Sequence, residues 1–390
     1  MNLPLLLAQL SLMALGLVGV AAAQPGSVIK HAADLLMALA ITLVVARTKP
    51  NGWIRIGPFM WGLAVFLLLA ALIIGHGPNG VRRWIDLGPL DIQPSEFAKI
   101  AMIAYLASFF TRRGAKHALI GPIVVIIVTT VLIAVAPSLS AGVFVFALAL
   151  AVMFASGVGM LRIFSIIAMS AAVSFTAVRF YTKAFPYVSE RLTGYMNVRN
   201  GTADVLGESF QLHQSLRSLE LGGLWGRGPD APMPTVPFAH TDMIIASIGH
   251  ATGLVGVSVV MIAFWVIMAL GLKAATLVAE GIPDDERERY GQRHGAATLA
   301  AGATILIVGQ AVVNLAVAIG LIPNTGMALP MLSDGGSGMM AAAVAFGWIH
   351  SALREANRDL PALRRDDLSA LAAFATSETV AGAAVQGRAA

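Results

Sequence analysis

The chain changes character at Pro237-Phe238-Ala239-His240-Thr241-Asp242-Met243-Ile244-Ile245. The segment before it, 185–239, is mixed, charged and interrupted by glycines, whereas the segment 243–272 is apolar. A long water-side loop therefore leads into a membrane helix, with Asp242 at the border. Because a charged side chain there is costly to keep, Asp242 is the first candidate functional residue. The alternative is an acid that only stabilises the N–H groups at the start of that helix.

The composition is typical of a polytopic membrane protein. Of the 390 residues, 57% are hydrophobic and 12% are charged, and the mean hydropathy is +0.78. Only helices and closed barrels cross a bilayer, and the apolar blocks of this chain are too long and uniform for barrel strands. The sequence contains no cysteine, which excludes disulfides, thiolate catalysis and cysteine metal sites.

The predicted fold class is all-α, with about ten transmembrane helices. The predicted spans are 3–23, 31–46, 57–75, 94–111, 119–136, 140–157, 162–182, 242–272, 296–322 and 330–353. We expect one membrane domain over 1–353 and a flexible tail over 354–390. A long loop, 183–241, separates the seventh and eighth helices. Within it, 204–221 has the pattern of a helix that lies on the membrane surface.

Basic residues predict the orientation of the bundle. Eleven lie in one set of short loops: Arg47, Lys49, Arg55, Arg112, Arg113, Lys116, Arg162, Lys273, Arg287, Arg289 and Arg293. The opposite short loops carry three, Lys30, Arg82 and Arg83. The positive-inside rule therefore predicts cytoplasmic termini and an outward loop 183–241. The net charge of +5 reflects these loops, so it indicates membrane topology, and no nucleic acid partner is expected.

Two further groups of candidates lie on the outer side. Arg82 and Arg83 go against the charge trend, so they either bind a negatively charged ligand or contact lipid headgroups beside an interfacial Trp84. Glu96 and Lys99 are three residues apart on one helical face. They form either an ion pair that satisfies itself or, with Lys99 pointing to the arginines, a site for a phosphate-bearing ligand.

Polar residues also occur in the last two spans. Gln310 and Asn314 lie one turn apart in the ninth span, a pattern typical of polar residues that join helices. The last outer turn, from Gly320 to Gly338, contains Ser333 and Asp334. Irregular backbone at this depth needs protein or a water-filled cavity around it.

Several motifs, in the same order along the chain, resemble those of one family. Residues 79–85, Asn-Gly-Val-Arg-Arg-Trp-Ile, and 93–99, Gln-Pro-Ser-Glu-Phe-Ala-Lys, are similar to N-G-x-R-R-W-I and Q-P-S-E-F-A-K of the SEDS family (RodA, FtsW and SpoVE type). His240-Thr241-Asp242 resembles the start of its H-T-D-F-I. Residues 213–228 and 320–337 resemble its Q-S-x-x-A-x-G-x-G-G-x-x-G-x-G and G-L-L-P-x-T-G…S-Y-G-G-S motifs. The chain is identified as a divergent member.

The resemblance implies a peptidoglycan glycosyltransferase that polymerises lipid II, the undecaprenyl-pyrophosphate-linked disaccharide-pentapeptide. It implies a bacterial cytoplasmic membrane with the active site facing outward, a role in growth or division, and a class B penicillin-binding protein as partner. A divalent cation, Mg or Mn, is expected with unknown ligands, and no organic cofactor. At the matching positions, Asp242 would be catalytic. The implied substrate-binding residues are Arg82, Arg83, Trp84, Glu96, Lys99, Gln214, His240, Thr241 and Ser333.

The residues suit this chemistry. An acceptor hydroxyl that attacks an anomeric carbon needs one base, and a departing pyrophosphate needs positive charge rather than a carboxylic acid. Hydrolysis of a glycoside would usually need two carboxylates. Other readings are a flippase or transporter of the lipid-linked precursor, which needs polar groups deep in both leaflets, and a catalytically weak scaffold for a penicillin-binding protein.

Four positions depart from the family pattern. Ser138 stands in place of the acid of P-D-L-G, and His250 in place of the first acid of G-E-E. Asp334 replaces the tyrosine of S-Y-G-G-S, and Met243 replaces the phenylalanine of H-T-D-F-I. The lost acids support the scaffold reading, whereas Asp334 adds a carboxylate on the outer face.

Overall fold

A computed structural model of the chain describes residues 1–77, 81–86, 88, 91–136, 138–170, 196, 208–279 and 287–357. Its helices are α1 Leu3–Ala23, α2 Val28–Arg47, α3 Pro50–Ile74, α4 Pro94–Arg113, α5 Ile120–Val135, α6 Leu139–Ala155, α7 Met160–Ser170, α8 Glu208–Gly222, α9 Ile244–Ala279, α10 Arg287–Ala318 and α11 336–357. A short 3-10 helix, Pro25–Ser27, precedes α2. Two antiparallel strands, β1 Ile85–Asp86 and β2 Asp91–Ile92, form the one small sheet of the described residues.

The all-α membrane fold is confirmed. Among the described residues, five helices are long and apolar enough to cross a bilayer, namely α1, α2 with its preceding 3-10 turn, α3, α9 and α10. Nine of the ten predicted spans fall on described helices. The seventh, 162–182, is described only as far as Ser170. The rest of that span, most of the loop before Glu208 and the tail after 357 lie outside the described residues.

Several predicted boundaries were wrong for local reasons. Helix α3 begins at Pro50 rather than 57, because the helix continues through Pro58. Helix α10 ends at Ala318 rather than 322, since Gly320, with φ of 74°, donates from its N–H to Val317 O and Leu321 donates to Ala316 O. This pair of bonds is the Schellman termination. Helix α11 starts at 336 rather than 330, after an irregular turn that contains Met331 with φ of 64°.

Helix α4 forms the centre of the bundle. Almost every residue from Ala98 to Phe110 is buried, including the charged Lys99. Helix α3 packs closely on it because Gly57 has no side chain, and any Cβ at that position would clash with the Ala104 carbonyl. The other face of α3 carries exposed Phe59, Phe66 and Ile73 at seven-residue spacing, as expected for a surface turned to lipid.

Buried polar bonds join the first, second and last helices. Gln9 on α1 donates from Nε2 to Thr42 Oγ1 on α2 over 3.0 Å, and that hydroxyl donates to Ala343 O on α11 over 3.2 Å. At the inner end, the N–H of Asn2 donates to His350 Nδ1 over 3.4 Å, which brings the start of α1 to the end of α11. Both ends of the membrane domain therefore lie on one side, as the charge pattern predicts.

Candidate active site at the outer end

The segment 237–243 forms a compact turn just before α9. The N–H groups of Thr241 and Met243 both donate to Phe238 O over 3.1 Å. Ser247, one turn into α9, donates from Oγ to Ala239 O over 3.0 Å. Phe238 has φ of 55°, which is strained for a side chain of that size. The predicted border residue Asp242 therefore belongs to a constrained turn, and α9 begins two residues after it, at Ile244.

Three consecutive carbonyls of this turn accept hydrogen bonds from α10 and from the segment before α11. The N–H of Asp334 donates to His240 O over 2.8 Å, and Ser333 Oγ donates to Thr241 O over 2.7 Å. Asn314 donates from Nδ2 to Asp242 O over 2.8 Å. The backbone on either side of the Asp242 side chain is thus fixed at every step.

The anchoring residues are themselves held in place. Asn314 is 1% exposed and also donates to Met327 O over 2.8 Å. Ser333 is 2% exposed, and its Oγ accepts from Leu329 N over 2.8 Å. A Cβ built on Gly326, which has φ of 65°, would lie 3.6 Å from Asp242 Oδ2. At that distance a Cβ would make an ordinary contact, so the positive φ, rather than the approach to the carboxylate, is what favours glycine at this position.

Helix α8 supports the turn from the other side. Gln211 donates from Nε2 to Pro237 O over 3.1 Å and accepts at Oε1 from Asn324 Nδ2 over 2.9 Å. Ser215 donates to Ala318 O at the end of α10 over 3.4 Å. Gln214, which the sequence analysis favoured for binding, lies on the same helix, and its buried Oε1 has no hydrogen-bond partner within the described chain.

The glycine-rich segment 222–228 forms backbone bonds with the interior of α9. Gly253 interrupts α9 with φ of 67° and ψ of −164°. On one side of the break, Arg227 N donates to His250 O and Gly228 N to Ala251 O, both over 2.9 Å. On the other, Leu254 N donates to Gly223 O over 2.9 Å and Val255 N to Leu224 O over 3.2 Å. The glycine-rich part of the 213–228 motif is therefore a structural element. It pairs with α9 at the break and satisfies the backbone N–H and C=O groups that the break leaves without helical partners.

The two outer arginines contact helix ends. Arg82 donates from Nη1 to Leu72 O and Ile73 O, at 3.2 and 2.9 Å, and so binds the end of α3. Arg83 donates from Nε to Ala136 O over 3.0 Å at the end of α5. Both line a small pocket together with Ser95 and Ser138. The Ser138 departure therefore removes a carboxylate from beside two guanidinium groups.

Trp84 is half-buried, and Glu96 and Lys99 form a pair. His76 and Trp84 are joined as a backbone bridge, and the Trp84 ring lies against Gly77. Lys99 Nζ contacts Glu96 Oε1 and Oε2 at 2.8 and 2.7 Å, with the two side chains 4% and 17% exposed. The geometry is that of the ion-pair interpretation; the binding roles of both residues stay predictions.

Segment 333–338 connects these groups. Ser333 contacts the Asp242 turn, while Ser337 donates to Asp91 O and accepts from Gln93 N, each over 3.0 Å. Gly338 faces Glu96, from which a Cβ would be 3.7 Å. The structure thus brings His240, Thr241 and Ser333 to Asp242 directly, and links Glu96 and Lys99 to them through this segment.

The imidazole of His240 is half-buried beside Asp334. Burial lowers the pKa of His240 below its ordinary value, the Asp334 carboxylate raises it in part, and Lys30 lowers it. The net direction favours a neutral ring at neutral pH. Among the described residues, no group of three or more His, Asp or Glu side chains is arranged to hold a metal ion. The divalent cation that the family resemblance implies therefore stays a prediction without named ligands.

Sequence reasoning missed most of the anchors. It assigned Asn314 only to helix joining, whereas its amide holds the carbonyl of Asp242. Gln211 and Ser337 received no role. Their common signal is a polar side chain in an apolar or glycine-rich setting, which indicates a partner without saying which.

The chain matches the family model described as "Cell cycle protein" (FtsW, RodA, SpoVE) over residues 5–358. It belongs to this family. A relative from Legionella pneumophila, named "Probable peptidoglycan glycosyltransferase FtsW", is 34% identical over 324 residues, which cover 80% of this chain and 77% of the relative.

Two solved structures share the fold. A chain from a structure described as "Structural coordination of polymerization and crosslinking by a peptidoglycan synthase complex" matches with a TM-score of 0.71 and 22% identity, over 91% of this chain and 98% of that one. Thermus thermophilus "Rod shape determining protein RodA" matches with a TM-score of 0.63 and 21% identity, over 91% and 97%. The chain is thus a multi-pass membrane protein of FtsW/RodA architecture.

Proposed function

We propose that the protein is an inverting peptidoglycan glycosyltransferase that polymerises lipid II at the outer face of the bacterial cytoplasmic membrane. The observation that carries the proposal is the fixed turn. His240 O, Thr241 O and Asp242 O each accept one hydrogen bond from buried or half-buried groups of α10 and the 333–334 segment. Such support holds one carboxylate in a defined place, as a general base requires.

The proposed step is a single displacement. The acceptor sugar hydroxyl attacks the anomeric carbon of the lipid-linked donor, and Asp242 takes the hydroxyl proton. A new C–O bond forms as the bond to the pyrophosphate oxygen breaks, and the bonding electrons leave with the pyrophosphate. Attack opposite the leaving group inverts the anomeric centre. Because pyrophosphate leaves as an anion, no carboxylic acid is needed to protonate it.

Positive charge for the leaving group would come from the outer arginines. Arg82 and Arg83 line the pocket with Ser95 and Ser138, next to the outer helix ends. Since the guanidinium groups already donate to helix-terminal carbonyls, they are held in place before substrate binds. No step is assigned to a divalent cation. The requirement for Mg or Mn remains a proposal, tested by activity with chelator and after readdition of each ion.

The proposed partner is a class B penicillin-binding protein. The support is the likeness of fold to a chain from a solved peptidoglycan synthase complex, together with the relatives named as glycosyltransferases. Copurification of this chain with such a protein from the same cell, and its effect on the polymerisation rate, tests the pairing.

The experiment is polymerisation of purified lipid II, with and without that partner, by the wild type and by Asp242→Asn. The matched control is Asp230→Asn, which changes an exposed carboxylate in the segment before the turn. We expect glycan strands from the wild type and the control, and a loss of about a thousandfold or more in Asp242→Asn at equal folding. Equal activity in Asp242→Asn would show that Asp242 is not the base, and would leave it only the role of stabilising the N–H groups at the start of α9. A wild type that makes no glycan even with its partner would favour the scaffold interpretation. Movement of lipid II between the two leaflets would favour the flippase interpretation.

A further inference from the structure

Helix α2 places a buried imidazole against the segment that holds the Asp242 turn. His31 is 0% exposed, and its Nδ1 lies 3.9 Å from Oδ1 of Asp334, a side chain that is 9% exposed. That separation is within ion-pair range but longer than a hydrogen bond. The contact joins two parts of the chain about three hundred residues apart, and the proposed mechanism has used neither of these two side chains.

The polar atoms at this contact are not satisfied otherwise. Within the described chain, both ring nitrogens of His31, Oδ2 of Asp34 and Oδ1 of Asp334 are buried without hydrogen-bond partners. A buried polar atom without a partner costs about 1–3 kcal/mol, so a retained group of four indicates a specific role or a closer bonded arrangement. A movement of about 1 Å between α2 and the segment before α11 would bring His31 and Asp334 into a hydrogen bond.

Other charged groups lie near this pairing. Asp34 lies one turn after His31 and faces Gly336, whose Cβ would be 3.5 Å from Oδ2. Lys30, at the exposed start of α2, acts electrostatically on His31, Asp34 and His240. Asp334 and Lys30 thus act on both imidazoles, and His31 is the fully buried one that faces Asp334.

Asp334 carries the effect to the turn. Its N–H donates to His240 O, and its neighbour Ser333 donates to Thr241 O. A change in the position of the Asp334 backbone is therefore transmitted to His240 O and, through Ser333, to Thr241 O, the two anchored carbonyls before Asp242.

We infer that His31 and Asp334 form a positioning pair, in which α2 fixes the segment that anchors the catalytic turn. This inference rests on the proposed function for its kinetic consequence, but its structural consequence does not. Neither residue touches the reacting atoms in the mechanism above. Their loss should loosen the turn and slow the chemical step, and should leave substrate affinity unchanged.

The first arm of the test measures amide hydrogen exchange of the full chain over 238–243 and 329–339. In His31→Gln and in Asp334→Asn, we expect the amides of Thr241, Met243 and Asp334 to exchange about tenfold faster. The double variant should exchange no faster than either single one, because both remove the same interaction. Asp334→Glu, which keeps the carboxylate, should remain close to wild type.

The control is a second His–Asp pair of the same chain. His76 Nε2 lies 3.2 Å from Asp91 Oδ1 on the outer surface, with side chains 48% and 61% exposed. Changing that pair to Gln and Asn should not alter exchange in the turn. Unchanged exchange in the His31 and Asp334 variants, or singles whose effects multiply in the double, would overturn the inference.

The second arm measures polymerisation kinetics of the same variants. We expect kcat to fall about tenfold with KM unchanged in His31→Gln and Asp334→Asn, no further fall in the double, and recovery in Asp334→Glu. A rise in KM alone would instead indicate substrate contact and overturn the positioning role. Should the wild type make no glycan, the proposed function fails, while the exchange arm still decides whether the pair holds the turn.

Discussion

The two ends of the bundle differ in the regularity of their backbone. At the inner end, Ser351 Oγ and Arg354 Nη2 donate to the same Thr48 carbonyl over 2.6 and 2.8 Å, and Trp53 packs edge-on against Trp348. The outer end consists largely of irregular segments joined by bonds to backbone carbonyls. Both non-glycine residues of the described chain that have positive φ, Phe238 and Met331, occur there.

This difference shows where the chain departs from regular structure to position particular groups. Regular helices satisfy their own backbone, so the inner end needs few specific partners. The outer turns expose carbonyls that must each find a donor, and those donors fix His240, Thr241 and Asp242 in space. Substitutions should therefore damage function most at the outer end, and the inner end should tolerate change.

The largest effect is expected from Gly226→Ala. Gly226 has φ of 79°, and a Cβ there would clash with the Ala251 carbonyl in α9. Because neither backbone can move without breaking the 222–228 pairing, we expect more than about 3 kcal/mol of destabilisation and loss of folded protein. The measurement is thermal stability by size-exclusion fluorescence. The control is Gly223→Ala, where φ is 56° but no atom lies within 4 Å, and only about 1 kcal/mol is expected.

The second effect is expected from Lys99→Met, which leaves the Glu96 carboxylate without its cation. Removing one partner of a largely buried pair destabilises by about 3–5 kcal/mol, whereas replacing both is often neutral. Unfolding of Lys99→Met, Glu96→Gln and their double variant measures this. Recovered stability with lost polymerisation in the double would assign the pair to substrate binding as well, and recovery of both would restrict it to structure.

A smaller loss of stability, but a large loss of rate, is expected from Asn314→Ala. The change leaves the Asp242 and Met327 carbonyls without their donor, which costs about 1–3 kcal/mol. Because the carbonyl of Asp242, the proposed base, is released, the polymerisation rate should fall by about tenfold or more. Gln310→Ala, one turn earlier, is the control. Equal rates in both variants would argue against the anchored-turn explanation.

The smallest effect is expected at the inner end, from Ser351→Ala. It removes one of two donors to Thr48 O, and Arg354 continues to donate. We expect about 1 kcal/mol of destabilisation and an unchanged polymerisation rate. A clear loss of rate at full folding would break the proposed contrast between the two ends.

Local sequence was enough to predict the helices and the main candidate. The change in composition singled out Asp242 as a candidate, whereas its catalytic role came from the family resemblance and stays a prediction. The Glu96–Lys99 pair was predicted because the two residues share a helical face. The anchors were beyond reach for a physical reason. The bond from Asn314 to Asp242 spans 72 residues, and nothing local indicates which carbonyl a buried amide will meet.

The break in α9 was likewise hidden by composition. Gly253 lies in an apolar run that reads as one continuous span, and only the pairing with 222–228 shows why the helix stops there. The predicted proximity of Lys99 to the two arginines came from sequence order alone. In the structure Lys99 turns to Glu96, and the pocket beside Arg82 and Arg83 is completed by Ser95 and Ser138.

The break at Gly253 also has a mechanical consequence. An unbroken helix from Ile244 to Ala279 would act as a lever, so that a small tilt of its lipid-facing part would swing Asp242 through a larger arc. Instead α9 is interrupted at Gly253, about ten residues after Asp242. The segment 222–228 forms backbone hydrogen bonds with both sides of the break and so holds the two parts of α9 together. Forces on the inner part of α9 therefore reach the Asp242 turn only through this break, whose two sides are both bonded to 222–228.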